Sequence, residues 1–362
     1  MPMEKPDFTD LDSPSLVVFR ERVTDNIAEM IRLAGGTSRL MPHVKTHKMP
    51  AVMQLLLESG IRRFKASTLA EAEMAAAAGA ESVLIAHQLV GPKVQRLKKL
   101  AAVFPQTAFA ALVDCREGAD ALAAGMEEVS VYLDINNGMN RTGHEVNDDL
   151  WPFFASLLSC KNFVVKGLHI YDGHITDAGF AERERRVEKG MGLLSEFIGR
   201  AEAAIPGLEL VCGGSPAFTV HLKSENRMLS PGTGVFWDWG YGDKLKEQNF
   251  SPAAFVLTRV ISRPAKGIVT VDMGHKAVSA ENPIDFRIRF PDHPDLRLKS
   301  QSEEHGVLET DRWEQYRVGN VLVGIPYHVC PTVNLYDQAY VFDKGAYFGT
   351  WEIAARKRRI TV

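Results

Sequence analysis

Cysteine is scarce: the 362 residues carry four, at positions 115, 160, 212 and 330, with no Cys-x-x-Cys pair. That spacing excludes a disulfide scaffold and is the pattern of a reducing compartment, so a cytoplasmic protein is expected. Long apolar runs are also lacking. None is long enough to span a bilayer, and the polar stretch Met1 to Asp12 lacks the apolar core of a signal peptide. Neither sign of charge dominates, since the formal net charge is −3, and this gives no electrostatic reason to expect a nucleic-acid or membrane partner. Tandem repeats of solenoid period and low-complexity linkers are absent as well. The remainder is ordinary globular sequence, 45% hydrophobic and 24% charged. At this length a single core usually stops growing, so two domains are expected.

Ser15 to Arg20 reads as a strand and Val23 to Ala34 as a helix. A rhythm of short apolar run, turn and helical stretch then begins. It predicts strands at Arg39–His43, Arg63–Ser67, Ser82–Ala86, Ala108–Val113, Val129–Ile135, Val164–Ile170, Leu208–Cys212 and Arg227–Ser230. The clearest helix, Thr68 to Ala78, opens on a Thr-x-x-Glu capping-box spacing and stops at Gly79. Pro92 suits the first turn of the next helix. Eight alternations of strand and helix predict a (β/α)8 TIM-type barrel over residues 20–243.

Beyond Asp243 the pattern changes to short strands split by proline and glycine: Phe255–Ile261, Ile268–Asp272, Phe286–Phe290, Leu296–Gln301, Val321–Ile325 and Ala339–Phe342. This predicts a second, mostly antiparallel β domain made of residues 1–19 and 244–362.

One stretch organises the rest. In Arg39-Leu40-Met41-Pro42-His43-Val44-Lys45-Thr46-His47-Lys48 an apolar run stops at a proline, and two lysines and two histidines follow within six residues. A lysine at the mouth of a strand, with neighbours able to lower its pKa, is the residue type that forms Schiff bases. Lys45 is therefore read as the lysine that holds pyridoxal phosphate; the alternative is a basic surface turn. Barrel sites lie at the C-terminal ends of the strands, with phosphate held after strands 7 and 8. The segments at those two places, Cys212-Gly213-Gly214-Ser215-Pro216 and Ser230-Pro231-Gly232-Thr233-Gly234, are rich in glycine and hydroxyls that suit an anion. Each alone is ordinary turn chemistry.

These motifs resemble a known family. Pro42-His43-Val44-Lys45-Thr46-His47-Lys48 is similar to the cofactor-lysine motif of fold-type III pyridoxal-phosphate enzymes, in the D-threonine aldolase and D-serine dehydratase branch. The likeness continues through Asn140-Arg141-Thr142-Gly143, Gly213-Gly214-Ser215, Pro231-Gly232-Thr233 and Ser302-Glu303-Glu304-His305-Gly306, and ends in Tyr327-His328-Val329-Cys330-Pro331-Thr332. It covers almost the whole chain. The resemblance implies a homodimer with a divalent metal beside the cofactor. It makes Lys45 the lysine bound to pyridoxal 5'-phosphate, sets Arg141 near the cofactor ring oxygen and Tyr171 against the cofactor face, and gives the phosphate to Gly213, Gly214, Ser215, Gly232 and Thr233. His328 and Cys330 would hold the metal. Residues i and i+2 of a strand share a face, and an imidazole with a thiolate favours zinc, with manganese or magnesium as other occupants. A metal held by His328 makes that residue catalytic alongside Lys45. His43 and His47, two residues to either side of Lys45, could position a substrate, or be plain structural histidines. His169, Asp172 and His174 receive no role.

Within the family, His-x-Cys is the form of the eukaryotic D-serine dehydratases and His-x-Asp that of the bacterial D-threonine aldolases, while the run Pro331-Thr332-Val333-Asn334-Leu335-Tyr336-Asp337 is aldolase-like. The expected function is D-threonine aldolase, cleaving β-hydroxy-D-amino acids to glycine and an aldehyde. The alternative is a D-serine or D-threo-3-hydroxyaspartate dehydratase releasing a keto acid and ammonia. An amino-acid racemase, suggested by Asn137-Gly138-Met139-Asn140-Arg141, and a non-catalytic cofactor carrier are the further readings.

Overall fold

A computed structural model of the chain describes residues 6–362. They form two compact units. One comprises the N-terminal residues through Glu29, Thr46–Val52 and Thr233–Arg356; the other comprises Met30–Lys45, Met53–Gly232 and Lys357–Val362.

The second unit is the barrel. Its seven-stranded parallel sheet runs, in chain order, through Arg63–Ala66, Ser82–Gln88, Ala108–Val113, Val129–Ile135, Phe163–Ile170, Glu209–Cys212 and Arg227–Leu229. The segment predicted as the first strand, Arg39–His43, closes the ring but is not a continuous strand. It bonds to the last strand through Met41 N–H on the Leu229 carbonyl and Leu229 N–H on the Arg39 carbonyl, both at 2.8 Å. It bonds to the strand Arg63–Ala66 through Lys65 N–H on the Pro42 carbonyl (3.0 Å) and Val44 N–H on the Lys65 carbonyl (2.9 Å). Only two isolated parallel bridges result, Leu40 with Leu229 and His43 with Lys65. Proline is the physical reason, because Pro42 has no N–H to give a ladder. Met41, Leu84, Ala110, Leu112, Tyr132 and Val211 pack together as a buried apolar cluster.

The helix punctuation follows the sequence. Helix Leu69–Ala78 begins where Thr68 Oγ1 accepts the Glu71 N–H at 3.1 Å, and Glu71 Oε2 in turn accepts the Ser67 N–H at 2.6 Å. It ends at Gly79, whose φ of 102° is the left-handed conformation that glycine adopts without a Cβ clash. Pro92 opens the helix Pro92–Val103.

The first unit is built on a nine-stranded sheet. Ser15–Phe19 runs parallel to Gln338–Asp343 on one side and antiparallel to Ala254–Ser262 on the other, and the remaining pairings are antiparallel. Its apolar core gathers Val256, Val260, Val269, Val271, Leu308 and Leu322, all essentially buried. The strand expected at Phe286–Phe290 is reduced to Ile288–Arg289 after a 3-10 turn at Ile284–Phe286. Two strands not anticipated, Gly306–Glu309 and Ala346–Glu352, complete the sheet. The latter is exposed at most positions and so lacked an apolar signal.

Candidate active site

Lys45 is half-buried, at the turn that follows the barrel-closing segment. It lines a cavity of about 160 Å³ with His43, Lys65, Arg141, His169 and Tyr171, all from the barrel unit. The residues expected around Lys45 from this unit, Arg141 and Tyr171, are therefore brought together with it. The Arg141 guanidinium lies over the Tyr171 ring at 4.9 Å from its centroid, a cation–π distance. Behind the same ring lies His169, its plane tilted by only 7° from that of Tyr171.

Three residues without an assigned role extend this wall inward. Asp134 Oδ1 is 2.6 Å from His169 Nδ1, and His169 Nε2 is 3.1 Å from Lys65 Nζ. Lys65 Nζ sits 5.1 Å from the centroid of the Tyr171 ring. All three side chains are buried. Burial, and then the neighbouring charge of Lys45, drives the Lys65 ammonium down to about 7. Burial and the charge of Lys65 likewise hold His169 below the usual imidazole range, against the pull of Asp134. Asp134 stays below the usual carboxylate range: its burial works the other way, but the charge and hydrogen bond of His169 outweigh it. Lys65 and Asp134 escaped the sequence reading, although a charged residue inside an apolar strand (Arg-Phe-Lys-Ala, Tyr-Leu-Asp-Ile) was the available signal.

The glycine loop Gly213–Ser215 stands at the end of strand Glu209–Cys212. Gly213 has a φ of 67°, and a methyl group there would meet His221 at 2.7 Å. At Gly214 a methyl group would come within 3.0 Å of the Tyr171 ring, so the ring packs closely on the loop and would have to shift for a larger residue. Ser215 Oγ accepts the Gly232 N–H at 3.2 Å, tying together the two loops predicted to hold phosphate. A glycine-rich loop, a serine hydroxyl and three basic side chains (Lys45, Lys65, Arg141), with the carboxylates of Asp134 and Asp172 acting on Lys65, form a donor set suited to a phosphorylated, anionic ligand. Thr233 belongs to the other unit, where it starts the 3-10 turn Thr233–Val235 and its hydroxyl is 3.7 Å from Cys330 Sγ.

A second polar cluster lies within the β-rich unit. His328 and Cys330 do not alternate along a strand, as the sequence reading assumed. The strand ends at Pro326, His328 caps the helix Val329–Val333, and Cys330 lies in its first turn. The two side chains still meet, because they are hydrogen-bonded to each other. His328 Nδ1 also binds Glu281 Oε1 at 2.6 Å, and Cys330 Sγ lies 3.2 Å from the Thr46 hydroxyl. Burial on its own would lower the His328 imidazole, but Cys330, Glu281 and Asp238 lift it to about 9. Among the described residues no three His, Cys, Asp or Glu side chains converge on one point. An imidazole and a thiol are donor types that a zinc ion accepts, and Glu281 stands where a carboxylate commonly orients a ligand histidine. Nothing in the sequence around Glu281 pointed to it.

The other histidines near Lys45 differ in kind. His43 Nδ1 accepts the Lys45 backbone N–H at 3.4 Å. His47 is deeply buried with Nε2 unpartnered, and burial pushes its imidazole down to about 3.

The profile of the alanine racemase N-terminal domain matches residues 18–238, more than half of the chain. The chain belongs to that family. A second profile, a putative serine dehydratase domain, matches residues 253–342. The 3-hydroxy-D-aspartate aldolase of Paracoccus denitrificans (strain Pd 1222) is 26% identical over 97% of this chain and 93% of its own. The D-threo-3-hydroxyaspartate dehydratase of Delftia sp. (strain HT23) is 27% identical over 94% and 97%. Among solved structures, the D-threonine aldolase of Filomicrobium marinum superposes with a TM-score of 0.89 at 26% identity, covering 99% of this chain and 100% of that one. The family is thus the D-threonine aldolase and D-serine dehydratase branch of alanine racemase-like barrels, and these relatives are aldolases and a dehydratase. No helix among the described residues is long and apolar enough to cross a membrane.

Proposed function

We propose that this protein is a pyridoxal-phosphate-dependent lyase of the D-threonine aldolase type, cleaving β-hydroxy-D-amino acids to glycine and an aldehyde. The observation that carries this reading is the wall of Lys45, Arg141, Tyr171 and the Gly213–Ser215 loop in a barrel whose relatives include both aldolases. When bound, the cofactor supplies an electron sink for the bond broken at the substrate Cα.

The chain's own residues do the rest. Lys45 would offer the amine that holds the cofactor, and Arg141, braced on Tyr171, would offer a cation to the ring oxygen. Gly213, Gly214, Ser215, Gly232 and Thr233 would hold the phosphate through backbone and hydroxyl donors, the Gly232 N–H being released from Ser215 to do so. His328 and Cys330 would hold a divalent ion, zinc in preference to manganese or magnesium, which would draw charge from the β-hydroxyl of the substrate. In this reading Lys45 and His328 are the residues on which turnover depends. The protein acts as a cytoplasmic homodimer on a small-molecule substrate, without nucleic acid or membrane.

A second reading, a dehydratase giving keto acid and ammonia, draws support from the His-x-Cys sequence at 328–330 and from the serine dehydratase match over 253–342. Incubation with D-threonine, D-serine and D-threo-3-hydroxyaspartate separates the two. Glycine and aldehyde from D-threonine are expected; ammonia and keto acid without glycine would replace the aldolase by the dehydratase. Activity that survives chelation would remove the metal from either scheme.

A further inference from the structure

Lys65 is an expensive residue where it stands. Its side chain is buried, it lines one small cavity together with a second lysine, Lys45, and the carboxylate nearest along its hydrogen-bond chain, Asp134, is reached only through His169. Carrying a full charge on both amines in such a place is strongly disfavoured. The backbone fixes the pair. Lys65 is stitched to Pro42 and Val44 by the hydrogen bonds that close the barrel, so the two lysines rise from adjacent segments of one wall.

We propose that Lys65 is the proton partner of Lys45: the two amines share a single ammonium proton, and Lys65 takes it when Lys45 acts as a nucleophile. The inference rests on Lys45 being the cofactor lysine.

The exchange balances without any further reactant. The Lys45 ammonium gives one proton to the neutral Lys65 amine, and the total charge of the pocket does not change. Lys45 then forms its N–C bond to the aldehyde, whose oxygen leaves as water with the two remaining amine hydrogens, and the proton held on Lys65 returns to the nitrogen. In its charged state Lys65 donates to His169 Nε2, while His169 Nδ1–H donates to Asp134, so the borrowed charge is met by a carboxylate through a neutral imidazole. The surrounding groups agree. Burial and Lys45 push Lys65 down to about 7, while Asp134, Asp172 and Cys212 pull it up, which leaves its amine poised near neutrality. Arg141, Tyr171, His43 and His87 complete the titratable lining. Lys65 is a positioning residue for a proton and need not touch substrate.

The test uses the cofactor-free full chain. Pyridoxal phosphate is added between pH 6 and 10, formation of the covalent link is followed by absorbance, and the product is trapped with borohydride and located by peptide mass. In the unaltered protein the link is expected to form readily at pH 7. In Lys65→Met and in Lys65→Gln, which can still bond to His169, the rate at pH 7 is expected to fall about tenfold, with the pH midpoint about one unit higher, because Lys45 then keeps its own proton. Competitive acetylation of the unaltered protein gives a reading independent of either variant: one amine of the pair is expected to react near pH 7 and the other only well above it. Trapping at Lys45 with unchanged profiles in both variants, or superimposed ordinary acetylation curves for the two lysines, would overturn proton sharing alone. Trapping at any other lysine would overturn the assignment of Lys45, and the sharing with it.

Discussion

Two aspartate–histidine pairs are buried in the same barrel, and they end differently. Asp134–His169 terminates on Lys65, which lines the cavity with Lys45. Asp172–His221, paired at 2.6 Å, terminates on Arg227, whose Nη1 lies 3.0 Å from His221 Nδ1 and which turns outward to Glu188. An arginine never gives up its proton in a protein, so the second chain ends on a cation that cannot pass a proton back and forth. A buried lysine can exist in either state, so the first chain can store and return a proton. The same two residues at the base of each chain therefore serve different ends, and the terminal cation decides which.

The largest expected effect is at the residue that the first chain serves. Lys45→Ala should abolish both the covalent cofactor absorption and turnover, and a retained absorption band would mean that another lysine carries the link. Breaking the second chain should cost stability instead. His221→Ala leaves Asp172 buried without its partner, and a loss of about 3–5 kcal/mol in denaturant unfolding is expected. Asp134→Asn tests the first chain with little change of shape. Without its carboxylate Lys65 becomes a poorer proton acceptor, so attachment at pH 7 should slow by about tenfold, one unit of pKa being tenfold. His47, a buried histidine with no aspartate, gives the smallest effect near neutrality. Its imidazole is depressed from 6.5 to about 3, so the unfolded chain binds a proton that the folded one refuses. The stability this confers is present above pH 6.5 and lost as pH falls toward 3, by up to about tenfold in the folded ratio per pH unit. His47→Gln should flatten the acid limb of a stability curve, and an unchanged limb would show that other groups govern it.

Much of this was legible in the sequence, for identifiable reasons. The strands Ala108–Val113 and Val129–Ile135 were readable to the residue because the first is a continuous apolar run and the second is broken only by Ser130 and Asp134, as expected in a parallel sheet. Thr68, Glu71 and Gly79 marked their helix because caps act locally. What failed depended on partners distant in sequence. Pro42 interrupts the first strand, yet the segment still closes the barrel through bonds to residues 65 and 229 that no local pattern encodes. His328 and Cys330 were given strand geometry where a helix begins, although their proximity survives because adjacent turn positions also bring side chains together. Lys65 was passed over because a lysine in a strand reads as solvent-facing until the alternation of the strand is known. Glu281 lies 47 residues from His328 and was invisible for the same reason.

The closure of the barrel by two lone bridges bears on how a bulky ligand gets in. The strand Val129–Ile135 has laddered neighbours on both sides, whereas Arg39–His43 is joined to its neighbours by only a handful of contacts. The lysine motif thus rides on the loosest seam in the wall, where local opening demands the least free energy. Amide protons of residues 39–44 should accordingly exchange with deuterated solvent before those of 129–135, and should slow once the cofactor is in place.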